Sequence, residues 1–245
     1  TKHFLGREPR GERVDVSGHT GVLSYEPTEL VLTVRSGTSI AETQAALYES
    51  GQCLAFEPPE FESAATIGGT IASGLSGPCR PYRGSVRDFV LGVTCVNGRG
   101  ESLRFGGQVM KNVAGYDVSR LMVGAMGTLG AILDVSFKVL PMPEVEQTRV
   151  YEVSEEMAIA KMNEWAAQPW PLSAACYLKN RLRIRLSGTE AGVAAAAREL
   201  GGVQDPEGGP FWRALREQYL PFFESTDVLW RLVVPPATPP LGLLG

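Results

Sequence analysis

Short runs of apolar and β-branched residues recur along the first 140 positions, and glycine, proline or asparagine separates them. Runs of this length and composition are typical of β-strands. Turns are predicted at residues 18–21 and at Asn97-Gly98, where the asparagine–glycine pair favours a hairpin. Strands are predicted over 13–17, 22–25, 30–34, 86–96, 101–105 and 131–140.

Helical signals are fewer in this half of the chain. Ser39 and Glu42 have the spacing of a capping box, and Gly51 is a typical C-terminal stop, so a helix is predicted between them. Residues 113–122 also have a helix-like pattern. The apolar face of the first helix would comprise Ala41, Ala45, Leu47 and Tyr48.

The pattern changes at Pro141 and Pro143, where we place a boundary between domains 1–142 and 143–245. Beyond it, strands and helices alternate, which predicts a small α+β unit with helices on one face of an antiparallel sheet. The predicted strands are 149–153, 174–179, 181–186 and 228–234, and the predicted helices are 155–167, 190–200 and 210–219.

Two glycine-rich segments, residues 57–77 and 106–132, stand out from this background. In the first, the glycines fall among Ala, Ser and Thr, with no acidic residue between Glu62 and Asp88. Glycine lets the backbone adopt positive φ and lets a ligand approach the amides, and successive amides can form a nest for phosphate oxygens. Tight turns in a β-rich domain are the structural alternative.

Composition narrows the function classes. The net charge of −4 gives nucleic-acid binding no electrostatic support. The four cysteines, at positions 53, 79, 95 and 176, lack the spacing of a zinc or iron–sulfur site, so no metal is predicted and a reduced cytoplasmic protein is expected. No apolar run reaches the roughly 18 residues that a membrane span needs. Attachment to the inner membrane through partners is left open.

The two glycine segments together resemble the PCMH-type flavin domain of the vanillyl-alcohol-oxidase family. The resemblance rests on ATIGG and ASGLSG in the first segment, GYDVSRLMVGAMGTLGAI in the second, and RGSVRDFVLGV between them. Over about residues 1–234 the chain is similar to FAD-binding E-type subunits of bacterial glycolate oxidase. It departs at Met126, where the broad family has an acid.

This resemblance implies an α+β fold, with a two-subdomain FAD-binding domain followed by a partial antiparallel cap domain. It implies FAD bound without a covalent bond, so His3 is not expected to attach the flavin. Because Thr1-Lys2 resembles the tail of a phosphate loop, the loop itself is expected to be missing and this chain to be partly or wholly empty of FAD. The implied cofactor-binding residues are Thr1, Thr66, Gly68, Gly69, Ser73, Gly74, Leu75, Ser76, Gly127, Thr128 and Ile132.

For several residues near these segments, we favour a structural role over a role at the flavin. Lys111 and Arg120 flank Gly-Tyr-Asp and could place a cation near the flavin, but surface charges are the simpler interpretation. Asp88 is expected to cap a turn. Cys79 and Cys95 are expected to be buried apolar residues.

The resemblance implies the FAD-binding subunit of a glycolate oxidase (glycolate dehydrogenase) complex, with a longer catalytic flavoprotein and an iron–sulfur subunit as partners and a small 2-hydroxy acid as substrate. The alternatives are a non-catalytic scaffold or electron-relay subunit, and a truncated D-2-hydroxy-acid (D-lactate) dehydrogenase. No catalytic residue is assigned, because the only histidines are His3 and His19. Alternating Arg181, Arg183 and Arg185 would share one strand face, which could bind a carboxylate or a partner, or be solvated.

Overall fold

The computed structural model describes residues 5, 12, 14–61, 65–107, 115–224 and 229–242. The predictions made for Thr1, His3 and Lys111 lie outside these residues. The chain divides into two compact units, residues 1–142 and 143–245, called unit 1 and unit 2 below.

Unit 1 is built on a five-stranded antiparallel sheet with the order β1-β2-β6-β4-β5, and β3 pairs with β7 in a separate small sheet. Its elements are β1 (Val22–Glu26), β2 (Val31–Arg35), α1 (Ile40–Tyr48), β3 (Gln52–Cys53), α2 (Ile67–Ser73), α3 (Arg80–Arg83), α4 (Val86–Phe89), β4 (Val90–Val96), β5 (Ser102–Gly106), α5 (Val118–Leu121), β6 (Ala131–Lys138) and β7 (Leu140–Pro141).

The two faces of this sheet differ in chemistry because side chains alternate along each strand. On the inner face, Leu32 and Val34 of β2 and Val135 and Phe137 of β6 are buried in one apolar cluster, which also contains side chains of α1 and α2. The outer face carries Thr33, Asp134 and Ser136, among other polar residues. Helix α2 therefore packs on the inner face.

The prediction of a strand over 13–17 is wrong for the described residues 14–17, which have no strand pairing. The amide of Ser17 donates to the Asp15 carboxylate (2.8 Å), a local bond that favours a turn. The loop then passes over Gly37, where a Cβ would come within 2.4 Å of the Ser17 carbonyl. The glycine is needed for this close approach.

The first helix has a different buried face from the one predicted. Ile40, Thr43 and Leu47 are buried, at spacings of three and four, and the Thr43 hydroxyl donates to the Ser39 carbonyl. Tyr48 is 70% exposed, and the alanines at 41 and 45 are also exposed. The prediction that Ser39 caps the helix is confirmed, because its hydroxyl accepts from the amide of Glu42.

Two further elements differ from their predicted extents, because capping residues determine where each begins. Residues 86–89 form a helical turn rather than strand, and Asp88 caps it by accepting from the Ser85 amide (2.7 Å). Within the described part of 113–122, only Val118–Leu121 is helical, because Asp117 acts as its N-cap and accepts from the Arg120 amide.

Unit 2 is an antiparallel α+β unit, as its alternating pattern predicts. Its sheet has the order β11-β8-β10-β9. Its elements are β8 (Val145–Glu152), α6 (Glu155–Ala166), β9 (Leu172–Leu178), β10 (Arg181–Gly188), α7 (Glu190–Leu200), β11 (Val203–Gln204), α8 (Gly208–Glu217) and a 3₁₀ turn (Pro221–Phe223).

The helices of unit 2 lie on both faces of its sheet, so the prediction of a single covered face is wrong. Leu182, Ile184 and Leu186 of β10 pack with α6 and α7. On the opposite face, Trp212 of α8 donates from its indole nitrogen to the Thr148 hydroxyl (2.9 Å). The predicted strand at 228–234 is also absent from its described residues, 229–234.

Candidate cofactor site

The two glycine-rich segments meet at the C-terminal end of α2. The amide of Gly124 donates to the Ile71 carbonyl (2.9 Å), and the amide of Met126 donates to the Ala72 carbonyl (2.8 Å). Gly74 ends the helix in the left-handed conformation, at φ 68°. A Cβ at Gly74 would lie 3.3 Å from Gly124 Cα, so the two glycines are in close approach.

Bare backbone faces outward at this junction, which we call the glycine cradle (residues 73–76 and 124–130). Gly124 and Gly127 have φ values of +80° and +75°, and a Cβ at either position would meet nothing within 4 Å. Met126 between them also has positive φ, at 53°, and its side chain is 46% exposed. The cradle therefore offers an open surface against which a flat ligand could lie.

The cradle also supplies hydrogen-bond donors. Among the described residues, the backbone amides of Leu75, Ser76 and Gly127 have no hydrogen-bond partner. The Ser76 hydroxyl is already used, because it accepts from the amide of Val86 (2.9 Å). Three unpaired amides beside open glycine backbone suit a ligand rich in oxygen acceptors.

The start of α2 is different from the open phosphate nest that the sequence suggested. The amide of Gly68 donates to the Ser36 carbonyl (2.7 Å), and the amide of Gly69 donates to the Thr66 hydroxyl (3.2 Å). Thr66 is the N-cap of the helix. A Cβ at Gly68 would lie 2.6 Å from Ser36 Cβ, so the structure requires glycine here for packing.

At three of the remaining predicted positions, the side chain is engaged within the chain. The Ser73 hydroxyl donates to the Gly69 carbonyl, and the Thr128 hydroxyl donates to the Ala125 carbonyl (2.6 Å). Ile132 is 6% exposed and belongs to the apolar core of unit 1. Their assignment to the cofactor site stays a prediction.

The structural interpretations of the neighbouring residues agree with the geometry. Arg120 pairs with Asp117 at 3.3 Å, and both side chains are partly exposed. Cys79 and Cys95 are buried, as predicted, and the Cys79 thiol donates to the Ala55 carbonyl (2.9 Å). Burial raises the pKa of the Cys95 thiol.

Three buried hydroxyls of unit 1 were not anticipated from the sequence. The side-chain oxygens of Ser36, Thr70 and Ser119 have no hydrogen-bond partner among the described residues. Thr70 is part of α2, and Ser36 packs against Gly68 at the start of the same helix. An unpaired buried hydroxyl is costly, and no sequence pattern distinguishes it from a satisfied one.

The arginines of β10 share one face, but each has an acidic neighbour. Arg181 lies 3.6 Å from Glu152 at the surface. Arg183 pairs with Asp205 at 3.0 Å and lies over the ring of Phe211. Arg185 is 5% exposed and lies over the Trp212 ring, 3.9 Å from the Glu146 carboxylate. Arg183 and Arg185 are thus covered by acidic and aromatic neighbours, and Arg181 is in an exposed ion pair, so this face offers little free positive charge to a carboxylate.

Comparison with known proteins gives one family model, described as an FAD binding domain, which matches residues 3–106. The glycolate oxidase subunit GlcE of Escherichia coli (strain K12) is 50% identical over 245 residues, which is 100% of this chain and 69% of that protein. The subunit GlcD of Bacillus subtilis (strain 168) is 36% identical over 60% of this chain and 34% of its own length. A D-lactate dehydrogenase of Anaerostipes hadrus is 31% identical over 55% of this chain and 28% of its own length.

Among solved structures, an alkyldihydroxyacetonephosphate synthase superposes with a TM-score of 0.63 at 16% identity, over 82% of this chain and 44% of that one. This likeness shows the shared fold. In the described part of the chain, no helix combines the length and the apolar composition that crossing a bilayer requires.

Proposed function

The chain belongs to the family of the glycolate oxidase subunit GlcE, and on this basis we propose that it is the FAD-binding subunit of a complex that oxidises glycolate to glyoxylate. The observation that carries the proposal is the glycine cradle, where two distant segments join and leave open backbone and unpaired amides. The FAD family model covers α2 and the loop after it. The chain spans 69% of the E. coli subunit, so the activity of the whole protein is part of the proposal.

The cradle residues fit an oxygen-rich, flat cofactor. The amides of Leu75, Ser76 and Gly127 would donate to cofactor oxygens, and the open backbone at Gly124 and Gly127 would lie against a ring. FAD, when bound, supplies the acceptor for the two electrons of the hydroxy acid. We propose binding without a covalent bond. Thr66 would contribute by fixing the start of α2, and Gly68 by allowing its close packing.

The proposal includes partners, because no histidine lies near the cradle among the residues that the structure describes. Proton removal from a hydroxy acid near neutral pH usually uses histidine. His19 is the only histidine among the described residues, and its Nε2 lies 3.0 Å from the Asp134 carboxylate on the outer face of the sheet. We therefore assign turnover to the complex, with a longer flavoprotein and an iron–sulfur subunit, at the cytoplasmic side or attached through them to the inner membrane.

A non-catalytic electron-relay or scaffold subunit is the second candidate. The position of His19, on the sheet face opposite α2, favours it over a self-sufficient dehydrogenase. The relay and the scaffold differ in whether the FAD of this subunit is needed at all.

The test uses the full-length subunit and the reconstituted complex. We expect the purified subunit to bind FAD stoichiometrically, as measured by absorbance, and to bleach slowly when mixed anaerobically with glycolate. Adding the partners should restore rapid bleaching. A subunit that never binds FAD contradicts the proposal, and rapid bleaching without partners contradicts the assignment of turnover to the complex.

A further inference from the structure

The outer face of the five-stranded sheet carries two cross-strand rows of small and charged residues. The pairing register aligns Ser24, Thr33, Ser136 and Gly92 in one row. The neighbouring row aligns Arg35, Asp134, Thr94 and Arg104. Directly opposed residues of an antiparallel pair point to the same face, so both rows face away from the apolar core.

Apart from Arg35, the residues of these rows line a hollow of about 200 Å³ that touches all five strands. Because β1 and β5 are the two edges of the sheet, a hollow lined by both Ser24 and Arg104 requires the sheet to curl around it. Its floor includes Thr33 and Ser136, which are 8% and 5% exposed and whose hydroxyls are 2.8 Å apart. Pockets for drug-sized ligands have roughly 300–1,000 Å³, so this hollow suits a smaller molecule.

One arginine without an acidic partner in the described part of the chain makes the hollow suitable for an anion. The Asp134 carboxylate is occupied on one side by His19, at 3.0 Å. Arg35 belongs to the same row but does not line the hollow, and its guanidinium donates to the Thr20 carbonyl (3.1 Å). Arg104 has no acidic partner among the described residues. Arg104 is therefore an unpaired cation in the lining of the hollow, whereas Asp134, the acid that also lines it, already has His19 beside it.

We propose that this hollow binds a small carboxylate, with the Arg104 guanidinium holding the carboxylate group and the Thr94 hydroxyl donating a second hydrogen bond. A ligand hydroxyl could donate to the free side of Asp134, which makes a two- to four-carbon hydroxy acid the best-suited ligand. Arginine is the side chain best matched to planar carboxylates. The choice of a hydroxy acid rests on the proposed function, whereas the carboxylate site does not.

This site is distinct from the glycine cradle. Helix α2, which carries the cradle at its end, packs on the inner face through Ile67 and Ile71. The hollow lies on the outer face, with the sheet between the two. It is therefore a second site for the carboxylate rather than the place where the hydroxy acid meets the flavin.

The test is calorimetric titration of the FAD-loaded full-length subunit with glycolate at constant ionic strength. Arg104→Gln removes the charge, and we expect it to weaken glycolate binding about tenfold or more, the cost of losing a charge-assisted hydrogen bond. Arg99→Gln is the matched control, because Arg99 is an exposed arginine in the turn that connects β4 to β5. It should leave the affinity unchanged. Glycolamide, a neutral ligand of the same size, should not bind the wild-type subunit.

Two further measurements separate loss of the carboxylate site from misfolding and from loss of FAD. Thr94→Val preserves shape and should weaken binding several-fold even if Arg104→Gln perturbs folding, which circular dichroism would detect. FAD content should be unchanged in all three variants, so loss of FAD binding would count against the proposed function and not against this site. Equal glycolate affinity in wild type, Arg104→Gln and Thr94→Val would overturn the inference, as would no glycolate binding by the wild-type subunit.

Discussion

The two units differ in whether their buried polar groups have hydrogen-bond partners. In unit 2, every buried polar side chain that the structure describes has a partner: Thr148 bonds to Trp212, Ser173 to Ser187, and Arg185 to Ser173. In unit 1, three buried hydroxyls have none among the described residues, and neither do several backbone amides of the cradle. A buried polar group without a partner needs an explanation, and a ligand is one of them. The proposal therefore places the ligand in unit 1, whereas the described buried polar side chains of unit 2 are paired within that unit.

The arginines extend this comparison. Arg183 and Arg185 of unit 2 are covered by acidic and aromatic side chains, whereas Arg104 of unit 1 lines an open hollow. All three alternate with other residues on strands, so the sequence presents them alike. Their partners, and not their spacing, decide which arginine is available to a ligand.

The largest expected effect is on the interior of unit 2, with Trp212→Ala. Trp212 is 3% exposed, bonds to Thr148 and lies under Arg185. We expect the free energy of unfolding of unit 2 to fall by about 3–5 kcal/mol, as for other buried aromatic truncations. FAD affinity should not change, as measured by fluorescence titration at a temperature where the variant is folded. A loss of FAD affinity in the folded variant would break the division of roles between the units.

A pair of arginine variants sharpens the comparison within one strand. Arg183→Ala leaves Asp205 as a largely buried, uncompensated carboxylate, so we expect a loss of about 2–3 kcal/mol in urea denaturation. Arg181→Ala removes an exposed pair and should cost less than about 1 kcal/mol. Neither should alter the KM of the complex for glycolate. An increased KM would restore the idea that this face binds the carboxylate.

Two helical glycines should respond with opposite signs. Gly68→Ala places a Cβ 2.6 Å from Ser36 Cβ, and we expect a loss of about 1–2 kcal/mol. Gly209→Ala in α8 meets nothing within 4 Å and should gain up to about 1 kcal/mol. Thermal unfolding of both variants checks this, and a neutral Gly68→Ala would show that packing does not require the glycine.

The effect with the narrowest range of conditions concerns Cys176, and it is confined to alkaline pH. Burial raises the pKa of this thiol to about 11, and the nearby Arg183 guanidinium opposes the shift. The unfolded thiol ionises near pH 9, so unit 2 should lose stability as pH rises from about 9 to 11, and none of this loss should occur below that window. Cys176→Ala should flatten the pH dependence of the unfolding midpoint there. An unchanged slope would mean that other groups dominate, such as Tyr151, whose pKa is also raised by burial.

Local signals made much of the fold predictable. The helix Glu190–Leu200 and the hairpin at Asn97-Gly98 follow from capping and turn residues, which act over a few positions. The face that α8 covers was not predictable, because it depends on Trp212 reaching Thr148, 64 positions away. The exposed face of α1 was predicted to be its buried face, because alanine is found in both buried and exposed positions.

The candidate site was predictable in outline and not in detail. Glycine composition and the family resemblance pointed to both segments of the cradle, and the structure joins them through Gly124 and Met126. Which amides remain unpaired depends on tertiary hydrogen bonds, such as that from Gly68 to Ser36. The outer hollow depends on strand register, which brings Arg104 and Asp134 into one row from 30 positions apart, and no local pattern carries that information.

The central claim, that the glycine cradle holds FAD, is tested most directly by FAD titration of two valine variants of the full-length subunit. Gly127 and Gly51 both have positive φ, at +75° and +65°, and both are open at Cβ, but only Gly127 lies in the cradle. Backbone strain should therefore be similar, at about 1–2 kcal/mol in each variant. We predict that Gly127→Val raises the dissociation constant for FAD by about ten- to a hundredfold, whereas Gly51→Val leaves it within about twofold of wild type. Wild-type FAD affinity in Gly127→Val, or equal losses in both variants, would contradict the account.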